Sequence, residues 1–140
     1  MVGLISAWNY PLNVAFRKVC PALIAGNCAI LKPSEIAGLS CMFIGKLAQD
    51  AGIPPGVFNI VTGDRDAGVA LTLSPSVSMI SFTGSSITGS KVMEACAPKL
   101  SQVALELGGK SALVVFDDTD LEKAVETTMK GFLTNGGQIC

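Results

Sequence analysis

The sequence predicts an α/β protein in which a parallel β-sheet carries helices on both faces. Short runs of β-branched and apolar residues alternate with helix-like stretches of about a dozen residues, as in chains of β-α-β units. The runs are almost continuously apolar, which is typical of strands buried on both faces of a sheet. Hydrophobic residues make up 49% of the 140 residues and charged ones 15%, so the composition indicates a globular chain with a core.

Six apolar runs are the predicted strands, and five longer segments are the predicted helices. The strands are expected at residues 2–7, 28–31, 57–61, 78–82, 102–107 and 112–116. The helices are expected at residues 13–25, 39–51, 67–73, 89–97 and 120–133. Pro21 should end or kink the first helix, because proline lacks the N–H that continues the hydrogen-bond ladder. Asp118 or Thr119 should cap the last helix.

Charge and hydropathy exclude two classes of partner. The formal net charge is −1 and the 10 Lys and Arg residues are scattered, so no basic stripe suits nucleic acid or an anionic membrane surface. No run of about 18 apolar residues could span a bilayer. The expected partner is therefore a small molecule.

The cysteines indicate a reducing compartment rather than a metal site. They form no CxxC pair, their number is odd and the chain has no His, so no zinc-ligand pattern is present. The expected location is the cytoplasm or another reducing compartment, and secretion is not expected. Four cysteines lie among small apolar residues and should pack in the core: Cys20, Cys28, Cys41 and Cys96.

Polar residues lie at the carboxyl ends of four of the predicted strands, in the segments 8–9, 32–35 and 83–86 and at Glu106. Ligands of open parallel sheets bind beyond the carboxyl ends of the strands, so this series predicts a cofactor cleft. The segment 83–86 starts a helix whose N–H groups could hold a pyrophosphate; an ordinary capped helix is the alternative. Lys32 and Glu35 could bond ribose hydroxyls; a solvated turn is the alternative.

Two further residues carry reactive groups. Glu106 is a carboxylate inside an apolar strand, where burial is costly unless the group is paired or its pKa rises. A raised pKa suits a general base, which in a chain without His must be Asp, Glu, Lys or Cys. An ion pair with Lys110 or an edge position is the alternative. Cys140 follows a Gly-rich segment, whose backbone freedom and exposure suit a nucleophile.

These residues stand in segments that resemble the aldehyde dehydrogenase superfamily. Residues 105–112 resemble its glutamate signature, and residues 132–140, which end at Cys140, resemble its cysteine signature. Three more segments resemble family segments in the same order: 32–35, 54–57 and 82–85. The resemblance covers essentially the whole chain. Residues 83–93 and 104–118 are similar to the betaine and amino-aldehyde branch.

The resemblance implies the oxidation of an aldehyde to a carboxylic acid with NAD(P)+. Residues 1–108 would form a Rossmann-like, doubly wound cofactor domain, and residues 109–140 would begin an α/β catalytic domain that stops at the nucleophile. Cys140 would attack the aldehyde as a thiolate, giving a thiohemiacetal and then a thioester. The Asn9 amide and the Cys140 N–H would hold the oxyanion, and Glu106 would activate the hydrolytic water.

For the cofactor, the resemblance implies six binding residues: Trp8, Lys32, Ser34, Glu35, Gly84 and Ser85. Lys32 and Glu35 would hold the adenosine ribose, and the turn at Gly84 and Ser85 would hold the pyrophosphate. Glu35 would repel a 2′-phosphate, so NAD is favoured and NADP stays open. No metal is implied. The full-length enzyme would be a homodimer or homotetramer that binds neither nucleic acid nor membrane.

Two departures from the family pattern matter. Ala7 precedes Trp8 where the family usually has Pro, which should change the stiffness of the turn and leave the chemistry of Asn9 intact. The chain is much shorter than family enzymes, and Met1 leads straight into strand-like sequence, so we expect an internal fragment that is inactive alone. Two alternatives stay open: a CoA-acylating semialdehyde dehydrogenase, although that branch usually lacks the glutamate, and a non-catalytic dinucleotide-binding module.

Overall fold

A computed structural model describes the whole chain, residues 1–140. The elements in chain order are β1 (Val2–Ile5), α1 (Pro11–Ile24), β2 (Ala29–Lys32), α2 (Gly38–Asp50), β3 (Phe58–Ile60), α3 (Arg65–Leu73), β4 (Met79–Gly84), α4 (Ser86–Cys96), β5 (Gln102–Leu107) and α5 (Leu121–Leu133). Short 3-10 helices lie at Glu35–Ala37, Ala97–Lys99 and Thr134–Gly137. The chain divides into two compact units, Met1–Leu107 and Gly108–Cys140.

The first unit contains a five-stranded parallel sheet with the strand order β3-β2-β1-β4-β5. The chain proceeds outward from β1 to β3 and then returns to the other side of β1 for β4 and β5. The strand order therefore reverses between β1 and β4, at the point where ligands bind in sheets of this kind. The predicted doubly wound α/β architecture is confirmed.

Strand β1 shows how the two faces of the sheet are filled. Val2 and Leu4 point to one side and pack with α1, β2 and α2 in one core cluster. Gly3 points to the other side, where an added Cβ atom would stand 2.6 Å from the Ile80 side chain and 3.1 Å from that of Leu71. Ile80 and Leu71 belong to a second cluster, which contains residues of α3, β4 and α4. The alternation along one strand thus separates two cores.

The first helix runs through a proline. The prediction that Pro21 ends or kinks this helix is wrong as to its end, because α1 continues to Ile24. Pro21 lies in the last turn, with its ring exposed. The helix loses only the one hydrogen bond that the missing N–H would make. Its carbonyl oxygen still accepts a bond of 3.0 Å from the Ala25 N–H. Pro11, at the first position of the helix, lies where proline is favourable.

The second unit departs from the prediction in two respects. Residues 112–116 are irregular and exposed, so the predicted sixth strand is wrong. An apolar run becomes a strand only where a neighbour pairs with its backbone, and this unit contains no other strand. The cap of α5 is Asp120, whose carboxylate accepts a bond of 2.9 Å from the Lys123 N–H, rather than Asp118 or Thr119.

The cysteines fall into two groups. Cys41 and Cys96 are buried, as expected. Cys20 and Cys28 are exposed, so the expectation of core packing is wrong for them: Cys20 lies on the outer side of α1, and Cys28 lies in the turn before β2. All five cysteines are free thiols. No helix in the chain is long and apolar enough to cross a membrane.

Candidate active site

The carboxyl ends of four strands lie side by side in the first unit. The last residue of β1, Ile5, pairs with Lys32 of β2 on one side and with Phe82 of β4 on the other. On β4 and β5, Thr83 pairs with Glu106. The register therefore brings the residues at or just after the carboxyl ends of these strands to the same side of the sheet: Trp8, Asn9, Lys32, Ser34, Glu35, Gly84, Ser85 and Glu106.

A buried lysine and an exposed carboxylate form a pair at the end of β2. The side chain of Lys32 is 7% exposed, and its Nζ lies 3.5 Å from Oε2 of Glu35, whose side chain is 60% exposed. A buried ammonium group needs such a partner, because burial removes its water. Ser34 begins the following 3-10 helix and accepts a bond of 3.4 Å from the Ile36 N–H. The turn presents a donor and an acceptor together.

An open cleft of about 570 Å³ lies beside this turn. This volume is in the range of small-molecule sites. Its lining combines polar groups from the 34–35 turn with apolar side chains of α2 and the Thr62-Gly63 turn after β3. The residues that define its walls include Ser34, Glu35, Leu39, Met42 and Gly63. A cleft of this size can take a flat heterocycle next to the Lys32–Glu35 pair.

The turn between β4 and α4 has a backbone that a ligand can approach. Ser85 is the N-cap of α4, and its Oγ accepts a bond of 3.2 Å from the Thr88 N–H. An added Cβ atom at Gly84 would stand 2.5 Å from the ring of Phe82, which is buried. The glycine is therefore required by packing. The first turn of α4 has N–H groups that lack intrahelical partners, as an anion site needs.

The turn between β1 and α1 carries Trp8 and Asn9. Trp8 is 45% exposed, and Asn9 is half-buried. Backbone bonds hold the chain on either side: the Ser6 N–H donates to the Lys32 carbonyl at 3.1 Å, and the Val14 N–H donates to that of Tyr10 at 2.9 Å. An aromatic ring and an amide therefore stand at the switch point of the sheet.

Glu106 differs from its prediction. The expectation of a buried carboxylate is wrong, because Glu106 is exposed. It is the penultimate residue of the edge strand β5 and alternates with Leu105 and Leu107, which pack against the second core cluster, so its side chain lies on the opposite face of the sheet. The edge-position alternative is thus the one that the structure supports. An exposed carboxylate at the carboxyl edge of a sheet is accessible to a water molecule.

A buried lysine near Glu106 was missed by sequence reasoning. Lys18 of α1 is 7% exposed, and its Nζ donates a bond of 2.7 Å to the Ser81 hydroxyl of β4. Burial lowers the pKa of Lys18 to about 8, and attraction by the Glu106 carboxylate partly offsets this. The available signal was spacing: Ala15 and Val19, which are buried, share the inner side of α1 with Lys18.

The candidate nucleophile lies in the second unit. Cys140 is exposed. It follows Asn135, Gly136 and Gly137, all of which have positive φ angles (55°, 63° and 79°). The Gly109 N–H donates a bond of 2.9 Å to the Cys140 carbonyl oxygen, which joins the two ends of the unit. The structure thus gathers the other candidates in the first unit and places Cys140 in the second.

Comparison with known proteins identifies the family. The whole chain, residues 1–140, matches the aldehyde dehydrogenase family. It is 54% identical to aminoaldehyde dehydrogenase 2, peroxisomal, of Pisum sativum and 52% identical to betaine aldehyde dehydrogenase, chloroplastic, of Beta vulgaris. All of this chain aligns with each relative, and it spans 28% of their length.

A solved structure shows the same fold. The NAD+ complex of an aldehyde dehydrogenase from Bacillus cereus matches with a TM-score of 0.95 and 40% sequence identity, over 99% of this chain and 28% of that one. The fold of this chain is therefore a known architecture. The family match over every residue shows that this chain belongs to the aldehyde dehydrogenase family.

Proposed function

We propose that this chain carries the cofactor site, the general base and the nucleophile of an NAD(P)-dependent aldehyde dehydrogenase that forms a carboxylic acid. The observation that supports this most is the gathering of amide, ammonium, carboxylate and helix N-terminus at one edge of the sheet. In this proposal, residues 1–108 form the cofactor domain and residues 109–140 begin the catalytic domain.

The residues present suit a dinucleotide. The 570 Å³ cleft would take the adenine ring, and the Lys32–Glu35 pair beside it offers a donor and an acceptor to the ribose hydroxyls. Gly84 and the N-terminus of α4 would hold the pyrophosphate, and Trp8 would lie against the cofactor. The Glu35 carboxylate would repel a 2′-phosphate, which favours NAD over NADP. The bound dinucleotide supplies the hydride acceptor of the reaction.

The protein's own groups perform the remaining steps. The Cys140 thiolate attacks the carbonyl carbon, a C–S bond forms and the carbonyl oxygen becomes an oxyanion. The Asn9 amide and the Cys140 N–H donate to this oxygen, and each such donor is typically worth about 2.7–4 kcal/mol. Once the thioester has formed, Glu106 takes a proton from the water that attacks it. The thiolate leaves and the acid is released.

Lys18 acts through Glu106. Its ammonium group is buried on the side of the sheet toward Ser81 and attracts the Glu106 carboxylate. At neutral pH Lys18 is mainly protonated, so it supplies a positive charge near the base rather than an acceptor for the proton taken from water.

The substrate class has two candidates. The relatives are named as aminoaldehyde and betaine aldehyde dehydrogenases, which supports a cationic aldehyde. The exposed Arg17 favours an anionic one. It lies on α1, which begins two residues after Asn9 and contains no acidic residue. A guanidinium group close to the aldehyde would repel an ammonium group and bind a carboxylate.

Within the proposal, the enzyme is a homodimer or homotetramer in a reducing compartment. The five free thiols support the compartment. The test is the rate of NADH formation by the full-length protein with an aminoaldehyde, betaine aldehyde and a semialdehyde that carries a carboxylate. A carboxylic acid product supports hydrolysis, and an acyl-CoA product formed only with added CoA would indicate the CoA-acylating alternative. The absence of NADH and NADPH formation with all three substrates would favour the non-catalytic module.

A further inference from the structure

A serine of β4 faces helix α1. Ser81 is in register with Leu4 of β1, which is buried in the core cluster beneath α1, and with Ala104 of β5. Side chains in register on neighbouring parallel strands lie on the same face of a sheet, so the Ser81 hydroxyl lies on the side of α1. There the Nζ atom of Lys18 donates a hydrogen bond of 2.7 Å to the Ser81 Oγ. This bond joins the helix to the strand.

The Ser81 hydroxyl is the partner of a buried charge. Lys18 is 7% exposed, and its ammonium group makes no other hydrogen bond in the structure. None of the ion pairs in the structure includes Lys18 or Glu106. Burial favours the neutral form of an amine, whereas a hydrogen-bond acceptor favours the charged form. The hydroxyl of Ser81 therefore stabilises the proton on Lys18.

The same face of the sheet carries Glu106. It is in register with Thr83, which follows Ser81 by two residues and therefore lies on the same face. Two residues span about 6.6 Å along a strand and neighbouring strands lie about 4.8 Å apart, so the Cα atoms of Glu106 and Ser81 are roughly 8 Å apart. At this separation the carboxylate attracts an ammonium group that is bound at Ser81, as the upward effect of Glu106 on the pKa of Lys18 indicates.

The elements packed around Lys18 bring no other charge to it. Lys32, the other charged residue of the sheet, is in register with Ile5 and lies on the opposite face. Cys41 of α2 is buried, and burial raises the pKa of its thiol, so it stays uncharged at neutral pH. The remaining charged residues of α1 and α2 are exposed to solvent: Arg17, Lys46 and Asp50. The charge on Lys18 therefore depends on Ser81 and Glu106.

We propose that Ser81 is a positioning residue that, by accepting the hydrogen bond of the Lys18 ammonium group, holds a positive charge beside Glu106. The inference rests on the proposed role of Glu106 as the general base. Ser81 acts through Lys18 and takes part in no bond-making step. The positive charge stabilises the ionised carboxylate, which is the form that can take a proton from water. Without the hydroxyl, Lys18 loses its charge more readily, and Glu106 keeps its proton up to a higher pH.

Two substitutions separate the hydroxyl from the packing around it: Ser81→Ala removes the acceptor, and Ser81→Thr keeps it. In NMR titrations of the folded 140-residue chain, with Lys18→Met to assign the signal, Ser81→Ala should lower the pKa of Lys18 from about 8 by about one unit. Ser81→Thr should keep the wild-type value. An unchanged pKa in Ser81→Ala would overturn the proposal. If Ser81→Ala does not fold, Ser81→Val has the shape of threonine without its acceptor and gives the same comparison.

The second step, from Lys18 to Glu106, is tested in the full-length enzyme by the pH profile of acyl-enzyme hydrolysis. Ser81→Ala should move the acidic limb of this profile to higher pH by about half a unit, and Ser81→Thr should keep the wild-type limb. In a Lys18→Met background, Ser81→Ala should have no further effect, because the serine acts through the lysine. An unmoved limb in Ser81→Ala, or an equal shift in the Lys18→Met background, would overturn the proposal.

Ser101 supplies the matched control. It is half-buried like Ser81, and its Oγ donates a bond of 3.2 Å to the Val77 carbonyl oxygen at the amino ends of the strands. Ser101→Ala should change Tm and leave both the pKa of Lys18 and the pH profile unchanged. Equal effects of Ser101→Ala and Ser81→Ala on these two measurements would overturn the proposal.

The outcomes distinguish this inference from the proposed function. If the wild-type enzyme hydrolyses its acyl-enzyme and the Ser81 variants match it in both measurements, this inference alone fails. A full-length wild-type protein without activity would instead overturn the proposed function, and this inference with it.

Discussion

The two units of the chain differ in how completely they form a core. The first unit, Met1–Leu107, has five paired strands and two clusters of buried apolar side chains. The second unit, Gly108–Cys140, has one α-helix, in which Ala124 is the buried residue. The large apolar residues of α5 are exposed instead: Leu121, Val125, Met129, Phe132 and Leu133.

This difference indicates that the two halves of the proposed site are stabilised in different ways. The cofactor residues stand on a sheet that is filled on both faces by its own helices. The segment that leads to Cys140 follows α5. No other α-helix or strand of the second unit packs on the apolar side of this helix, and an exposed apolar side of this kind is typical of an interface. The chain spans 28% of the length of the curated relatives it matches.

The largest expected effect separates chemistry in the second unit from cofactor binding in the first. Cys140→Ser in the full-length protein should lower kcat by at least about a thousandfold, because a serine hydroxyl without an activating base is a poor nucleophile. The Kd for NAD+, measured by fluorescence titration, should stay within about twofold. Cys20→Ser, in the first unit, is the control. A comparable loss of kcat in that variant would contradict the role of Cys140.

The next effect tests core formation directly, in the 140-residue chain. Leu31→Ala removes a fully buried side chain of β2 and should lower the free energy of unfolding by about 2–5 kcal/mol. Val125→Ala removes a side chain of α5 that is 55% exposed and should lower it by less than about 1 kcal/mol. Urea unfolding followed by circular dichroism measures both. Equal losses would mean that the second unit has a core of its own.

The smallest effect is a pH dependence within the first unit. The pKa of Lys18 is about 8 in the folded chain and 10.5 in its ordinary state, so between these values the unfolded chain binds more protons. The lysine therefore destabilises the fold below pH 8, and this penalty fades as the pH rises toward 10.5. The free energy of unfolding of the wild type, relative to Lys18→Met, should increase from pH 8 to pH 10 in urea titrations. A constant difference would contradict the burial of the charged form.

The fold class could be predicted because its signals are local. The apolar runs that became β1 and β5 and the helical spacing that became α2 each lie within one short segment of sequence. The failed strand at residues 112–116 has an equally apolar run, but strand formation also requires a pairing partner, which a local pattern does not contain. The start of α4 is a different case: the helix begins at Ser86, three residues before its predicted start, because Ser85 caps it, and this signal is local.

The positions of the candidate residues at the strand ends could be predicted from the sequence, but their surroundings could not. Lys32, Glu35 and Ser85 stand after strands, and the parallel sheet brings strand ends together. The exposure of Glu106 follows from the position of β5 at the edge of the sheet, which depends on the strand order. Lys18 was missed because a lysine on a helix is usually solvated, and only its spacing from buried neighbours indicates otherwise.

The packing of Phe82 against Gly84 bears on how this protein could change its cofactor. Any side chain at Gly84 would displace a buried ring, so the turn proposed to hold the pyrophosphate can vary only together with the core beneath it. Glu35 has no such constraint, because its side chain is largely exposed on a short turn. In the proposed enzyme, a single substitution at Glu35 could therefore shift the preference from NAD toward NADP. A substitution at Glu35 should therefore leave the stability of the fold unchanged, whereas a substitution at Gly84 should lower it.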